Sequence, residues 1–258
     1  MITSLSNSKI KLVRSLARRK DRYAARQFVV EGVRLVEEAV GARITPAFVL
    51  QVESVENDAR AHALLEQLRA TTEVLAVSDA VLKDLSNTET PQGILAVVPF
   101  VELPLPTPPQ FVLILDAVRD PGNVGTIMRS ARAAGVDEIL FAPGTADPYN
   151  DKVVRAAMGA HFAVPLRVLN RWEEIQGATR NIPRIYLADA RGDVDYAHAD
   201  WTRPVALIVG GEADGASEMA RKISKARVSI PMRGGAESLN AAMAATVLLF
   251  EVARHSVV

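Results

Sequence analysis

The chain has 258 residues, 49% of them apolar, with 30 basic and 30 acidic residues and a formal net charge of zero. That length and composition fit one large or two ordinary domains with real cores, and a neutral balance gives no global case for a polyanion partner, which has to rest on local clustering. The absence of cysteine excludes disulfides, thiolate catalysis and cysteine-based zinc sites, and the four histidines (His62, His161, His198 and His255) are too scattered to support a metal site, so none is expected.

The opening MITSLSNSKIKLVRS lacks the apolar core of a signal peptide. The longest apolar run, 241–250, falls well short of the roughly 20 residues that cross a bilayer. A soluble, cytoplasmic protein without membrane contact is therefore expected. Residues 7–26 carry Lys9, Lys11, Arg14, Arg18, Arg19, Lys20, Arg22 and Arg26 against the single acid Asp21. Ile10, Leu12, Val13, Leu16 and Ala17 interleave at near-helical spacing, which predicts one basic amphipathic helix. Such a face either contacts nucleic acid or is simply solvated.

Residues 28–100 alternate strand and helix patterns. The strand candidates are FVVEG (28–32), AFVLQV (47–52), EVLAV (73–77) and GILAVVPF (93–100), with helices expected at 33–41, 56–70 and 79–85. These strands are apolar runs without strict alternation, as in a sheet covered on both faces. VELPLPTPPQ (101–110) has four prolines and suits an extended linker. The reading is a small α/β domain over 1–100, a linker over 101–110 and a second domain over 111–258.

From 111 the alternation repeats on a larger scale. Strands are expected at 111–117, 138–143, 164–169, 184–190, 205–210 and 228–232, and helices at 123–134, 151–160, 171–179, 217–225 and 238–254. Such β/α alternation predicts a mostly parallel sheet with right-handed crossovers.

Three turns of this second domain carry the polar chemistry, where open α/β sheets bind ligands, at the carboxyl ends of strands. In DPGNVG (120–125), Pro121 and Gly122 fit a tight turn and Asn123 a helix N-cap. Arg129 follows six residues later, where it serves either as an anion contact near a helix N-terminus or as an ordinary surface side chain. In GGEADG (210–215), Gly210 and Gly211 allow close backbone approach and Glu212 places a carboxylate there. This turn is neither a GxGxxG fingerprint, with its acidic ribose-binding residue, nor a P-loop. In MRGGAESLN (232–240), Ser238 suits the cap of the last helix and Asn240 its first turn. Hydrolase motifs are missing, so the residues alone give a compound polar site and no reaction.

Together, DPGNVGTIMRSARAAG, VGGEADG and SIPMRGGAESLNAA resemble the three motifs of the SpoU (TrmH-like) RNA ribose 2′-O-methyltransferases of the SPOUT superfamily. The N-terminal half is similar to their substrate-binding domain of ribosomal protein L30e type. The opening ITSLSNSKIKLVRSLARRKDRYAARQFVVEGVRLVEEA resembles the branch that methylates large-subunit ribosomal RNA.

The resemblance implies a deep C-terminal trefoil knot, a homodimer, and S-adenosylmethionine held in the knot near the subunit interface. It implies catalytic roles for Asn123, Arg129, Glu212, Ser238 and Asn240. Cofactor contacts would fall at Gly210, Ile230 and Leu239, with Gly211 and Met232 in the same wall. RNA contacts are expected from Lys9, Lys11, Arg14, Arg18, Arg19, Lys20 and Arg22. The family proposal makes the arginine a base, yet guanidinium groups stay protonated in proteins. Electrostatic stabilisation of a developing alkoxide is the alternative. Transfer RNA is the second substrate choice, and a non-catalytic knotted RNA-binding or ribosome-assembly factor the third reading. A nucleotide-binding oxidoreductase fits only the α/β pattern.

Overall fold

The computed structural model describes residues 1–212 and 215–255, so Ala213 and Asp214 of the second motif lie outside the described residues. The chain forms two compact units, residues 1–102 with 149–162, and residues 103–148 with 163–258. The division at 102 falls in the proline-rich stretch. The segment Tyr149–Phe162 groups with the first unit, although its sequence position lies inside the expected second domain. The reason is apolar: Tyr149, Val154 and Phe162 join the cluster around Phe28. Tyr149 also stacks on Phe100 with ring centroids 3.7 Å apart. A strand-and-helix pattern does not reveal which core a helix joins.

The first unit is a four-stranded sheet in the order β1-β4-β2-β3, formed by β1 (Gln27–Glu31), β2 (Phe48–Gln51), β3 (Val74–Ala76) and β4 (Ile94–Pro99). β4 runs antiparallel to both its neighbours, and β2 pairs with β3 in parallel. Along β4, Ile94, Ala96 and Val98 enter one apolar cluster and Leu95 and Val97 the other, on opposite faces of the sheet. Burial on both faces explains the unbroken apolar runs.

The basic segment is two helices, α1 (Ser8–Ser15) and α2 (Arg19–Ala25), rather than one. Arg22 explains the break. It is only 4% exposed, and its Nη1 donates to the carbonyls of Leu16 and Ala17, each at 2.8 Å. These carbonyls follow the end of α1, where helix acceptors are left over. The remaining helices of this unit are α3 (Val33–Gly41), α4 (Ala59–Arg69), α5 (Asp79–Leu85) and α7 (Asp151–Ala157).

The second unit holds β5 (Phe111–Asp116), β6 (Glu138–Phe141), β7 (Leu166–Val168), β8 (Arg184–Ala188), β9 (Val194–Asp195), β10 (Val205–Gly210) and β11 (Ala226–Ser229). Their order is β7-β6-β5-β10-β8-β11-β9, and every pair is parallel. β9, only two residues long, has no sequence signal. β11 stops before Pro231, which has no N–H to give a ladder. The helices are α6 (Pro121–Ala134), α8 (Trp172–Thr179), α9 (Glu218–Ile223) and α10 (Ala241–Arg254). Among the described residues no helix is long and apolar enough to cross a membrane.

After β5 the chain winds toward β6 and β7, whereas β8 and β10 lie on the other side. The gap between the carboxyl ends of β5 and β10 is therefore the topological switch point, where open parallel sheets bind ligands.

Candidate active site

Two backbone approaches shape this switch point. A Cβ on Gly211 would lie 2.3 Å from the Ala117 carbonyl oxygen, and one on Gly210 would lie 2.8 Å from the Ala216 nitrogen. Only glycine fits either position. Ala117 has a φ of 54°, which turns the chain out of β5 toward the first motif. Asp116, buried at the end of β5, accepts the Ser217 N–H at 2.6 Å through Oδ2 and so ties β5 to the start of α9.

The cap of α6 is Asp120, which accepts the Asn123 N–H at 2.8 Å, with Pro121 in the first turn. Asn123 is thus freed from the capping role that its sequence position suggests. Its side-chain Nδ2 donates to Glu212 Oε1 at 2.6 Å. Asn240 Nδ2 donates to the same oxygen at 2.8 Å and lies 3.1 Å from Asn123 Oδ1. The Ala241 N–H adds a 3.4 Å contact to Glu212 Oε1. Residues from all three motifs therefore meet on one carboxylate oxygen. That carboxylate also faces the N-terminus of α10, where the helix dipole favours negative charge. Asn240, not Ser238, caps α10, its Oδ1 accepting from Ala242 and Met243.

Beside this junction lies a cavity of about 510 Å³. Gly210, Gly211, Glu212, Ile230, Met232, Ser238, Leu239 and Asn240, all named from the sequence, line it. Its apolar wall is completed by Val209, Val228, Ala244 and Leu248, and its remaining charges are Asp189 and Arg221. Asp189 and Arg221 belong to no motif. Their only sequence signal is that Asp189 directly follows an apolar strand run.

Arg129 does not line the cavity. α6 starts at Pro121, so Arg129 stands just over two turns along it, about 12 Å from its start at a rise of 1.5 Å per residue. That is beyond the first turn, where a helix dipole acts. The side chain is exposed and makes no hydrogen bond or ion pair with the described residues.

The basic segment is partly neutralised by neighbours. Lys9 pairs with Glu73, Arg14 with Asp84 at 2.6 Å, and Arg18 with Asp21 at 2.6 Å. Buried Arg22 is a structural brace and is not presented to solvent, contrary to its expected role in RNA contact. Lys11, Arg19 and Lys20 are exposed and form no ion pair among the described residues, with Arg19 lying over the Tyr23 ring.

The SpoU rRNA methylase family model matches residues 110–250. The chain belongs to this family. The model of the MRM3-like substrate binding domain matches residues 7–96. The chain is 34% identical to the 23S rRNA (guanosine(2553)-2′-O)-methyltransferase RlmP of Bacillus subtilis, over 97% of this chain and 98% of that protein. Among solved structures, the SpoU methyltransferase AviRb from Streptomyces viridochromogenes in complex with AdoMet is 32% identical. It superposes with a TM-score of 0.87, covering 97% of this chain and 98% of that one. The A. aeolicus TrmH/SpoU tRNA modifying enzyme is 26% identical with a TM-score of 0.50, and its match covers only 56% of this chain.

Proposed function

We propose that this SpoU family member transfers a methyl group from S-adenosylmethionine to a ribose 2′-hydroxyl of large-subunit ribosomal RNA in the cytoplasm. The observation that carries the reading is the convergence of Asn123, Glu212 and Asn240 on one oxygen, at the rim of the strand-end cavity. Full-length similarity to a ribosomal RNA enzyme, against half-length similarity to a transfer RNA enzyme, favours the ribosomal substrate.

The cavity suits the cofactor. Its volume lies within the range of small-molecule sites, about 300–1,000 Å³. Its wall combines apolar side chains for an adenine with close-packed glycine backbone, and the Glu212 carboxylate complements a cation. Bound there, the cofactor supplies an electrophilic methyl group on a sulfonium. Gly210, Gly211, Ile230, Met232 and Leu239 would hold it through backbone and apolar contact. Glu212 and Asn240 fix the Asn123 carboxamide, which keeps one N–H and one lone pair for an incoming ribose, while the polar atoms of Asn240 are taken up by Glu212, Asn123 and the cap of α10. Ser238 adds a hydroxyl to the same wall. Arg129 is assigned electrostatic stabilisation of the oxygen as its proton leaves, because a guanidinium is a poor base.

The first unit is assigned RNA recognition, with 101–110 as linker and the second unit as the catalytic domain. Lys11, Arg19 and Lys20 are the leading phosphate contacts. With the family assignment we include the trefoil knot, supported by the return of α10 to pack on α6 and β10 after the chain has passed the cavity.

The reading includes a homodimer. Seven large apolar side chains are exposed among the described residues. Three of them, Met243, Val247 and Phe250, are 57%, 36% and 48% exposed and fall on one face of α10, and Leu239, 40% exposed, lies two residues before that helix. A second copy is the occupant that such a self-complementary helix face suits. Met243→Glu should leave the fold intact and weaken the dimer on the order of 100-fold, since it places a charge in an apolar contact. Light scattering at micromolar concentration checks this, and a dimer of unchanged mass would remove α10 from the interface.

The activity itself is tested with radiolabelled S-adenosylmethionine and total RNA lacking the modification. Label in a 2′-O-methylnucleoside of large ribosomal RNA is expected. Label in transfer RNA would select the alternative substrate, and cofactor binding without transfer to any RNA, including assembling subunits, would select the non-catalytic reading.

A further inference from the structure

The cavity holds two carboxylates, and the motif junction uses only Glu212. The other, Asp189, follows β8, one strand beyond β10 on the side away from β5. Its side chain is 17% exposed. The Arg191 N–H donates to Oδ1 at 2.9 Å, and Arg221 Nη1 donates to Oδ2 at 3.1 Å, with Arg227 Nη1 3.7 Å from the same oxygen. An ionised carboxylate has about four lone-pair positions, so acceptor capacity remains on both oxygens. Burial pushes this carboxyl up, but the Arg191 N–H and the two guanidiniums outweigh it and hold the group below the usual carboxylate range. Asp189 is therefore ionised at neutral pH.

The position is rigid. The Asp189 N–H donates to the Val228 carbonyl at 3.0 Å, and the Gly192 N–H returns to the Asp189 carbonyl at 2.9 Å. Gly192 packs so closely on β11 that a Cβ would lie 2.6 Å from the Val228 carbonyl carbon. A fixed acceptor at a strand end, facing a nucleoside-sized cavity, is how open α/β sheets hold a ribose. The GGEADG turn has no acidic residue at the usual place, and Asp189 stands at the next strand end instead. Two donors suit it better than a cation does, because Arg221 and Arg227 already neutralise its charge.

We propose that Asp189 accepts hydrogen bonds from the ribose 2′- and 3′-hydroxyls of the cofactor's adenosine; this rests on the S-adenosylmethionine reading above. The reacting end then lies toward Glu212 and the adenosine toward β8.

Calorimetry with S-adenosylhomocysteine and its 2′-deoxy and 3′-deoxy counterparts tests this on the full chain. In the wild type, loss of either hydroxyl should weaken binding about tenfold, the scale of one hydrogen bond to a charged group. Asp189→Asn keeps an acceptor for the Arg191 N–H and gives up the bond to the half-exposed Arg221, so its melting temperature should fall only slightly. It should bind S-adenosylhomocysteine about tenfold more weakly and discriminate the deoxy compounds less than twofold. Equal binding of all three compounds by the wild type, or undiminished discrimination by Asp189→Asn, would overturn the assignment while leaving the cofactor reading intact. A wild type that binds none of the three would overturn the cofactor reading itself.

Discussion

Arg129→Ala is expected to lower methyl transfer on the order of 10²–10³-fold, while the melting temperature and cofactor affinity stay at wild-type values. The split follows from where the side chain stands. Arg129 is exposed, contacts no other side chain among the described residues by hydrogen bond or ion pair, and lines no part of the cavity. Its removal therefore costs no folded-state interaction, and surface substitutions of that kind stay within about 0.5 kcal/mol. A transfer defect would then report a role met only when RNA is bound. Arg129→Lys should recover little, because an ammonium lacks the planar fork that grips a phosphate or stabilises an oxyanion at two points. Arg129 is absent from the lining of its own cavity, and in the proposed homodimer this leads to a sharper expectation. Mixed dimers of Arg129→Ala with Glu212→Gln should regain transfer, with one working site per mixed dimer, if each arginine serves the partner's cavity. Absence of recovery would place Arg129 in the site of its own copy. Near-wild-type transfer by Arg129→Ala would remove it from the mechanism.

The candidate site was legible in sequence as three turns, because each joins an apolar strand run to glycine and a carboxamide or carboxylate residue. What was not legible was the division of labour inside each turn. Asp120 caps α6 where Asn123 was expected, and Asn240 caps α10 where Ser238 was expected. Asp, Asn and Ser cap almost equally well, so local preference does not rank neighbours within three residues. The long-range partner decides: Asn123 is drawn to Glu212, 89 residues away, and leaves its cap to Asp120. Arg22 is a related case. Composition reads it with seven other cations as surface charge, whereas two stray carbonyls at the end of α1 bury it. A carboxylate that ends a strand, as Asp116 and Asp189 do, carries no motif until the strand order shows that β5, β10 and β8 are neighbours.

The same neighbour relation governs the glycines, and there the expected effect on the cavity is largest. Gly211→Ala should destabilise the fold by about 1–3 kcal/mol and weaken cofactor binding on the order of 100-fold. The new Cβ would stand 2.3 Å from the Ala117 carbonyl oxygen, a backbone atom with little freedom to retreat. Ala117 already occupies a left-handed φ of 54°. On one side of it Asp116 is buried and bonded to Ser217, and on the other the Val118 carbonyl accepts the Ala146 N–H at 2.9 Å. Relief therefore has to come from the Gly211–Glu212 turn, which moves the carboxylate on which Asn123 and Asn240 converge and narrows the cavity at Gly210. Gly177 in α8 provides the control of opposite sign. A Cβ there meets nothing within 4 Å, so Gly177→Ala should stabilise by about 0.5–1 kcal/mol and leave binding unchanged. Paired melting curves and cofactor titrations of the two variants separate a general intolerance of glycine replacement from a close approach that shapes the site. Wild-type affinity in Gly211→Ala would show that the β5–β10 contact does not set the cavity wall.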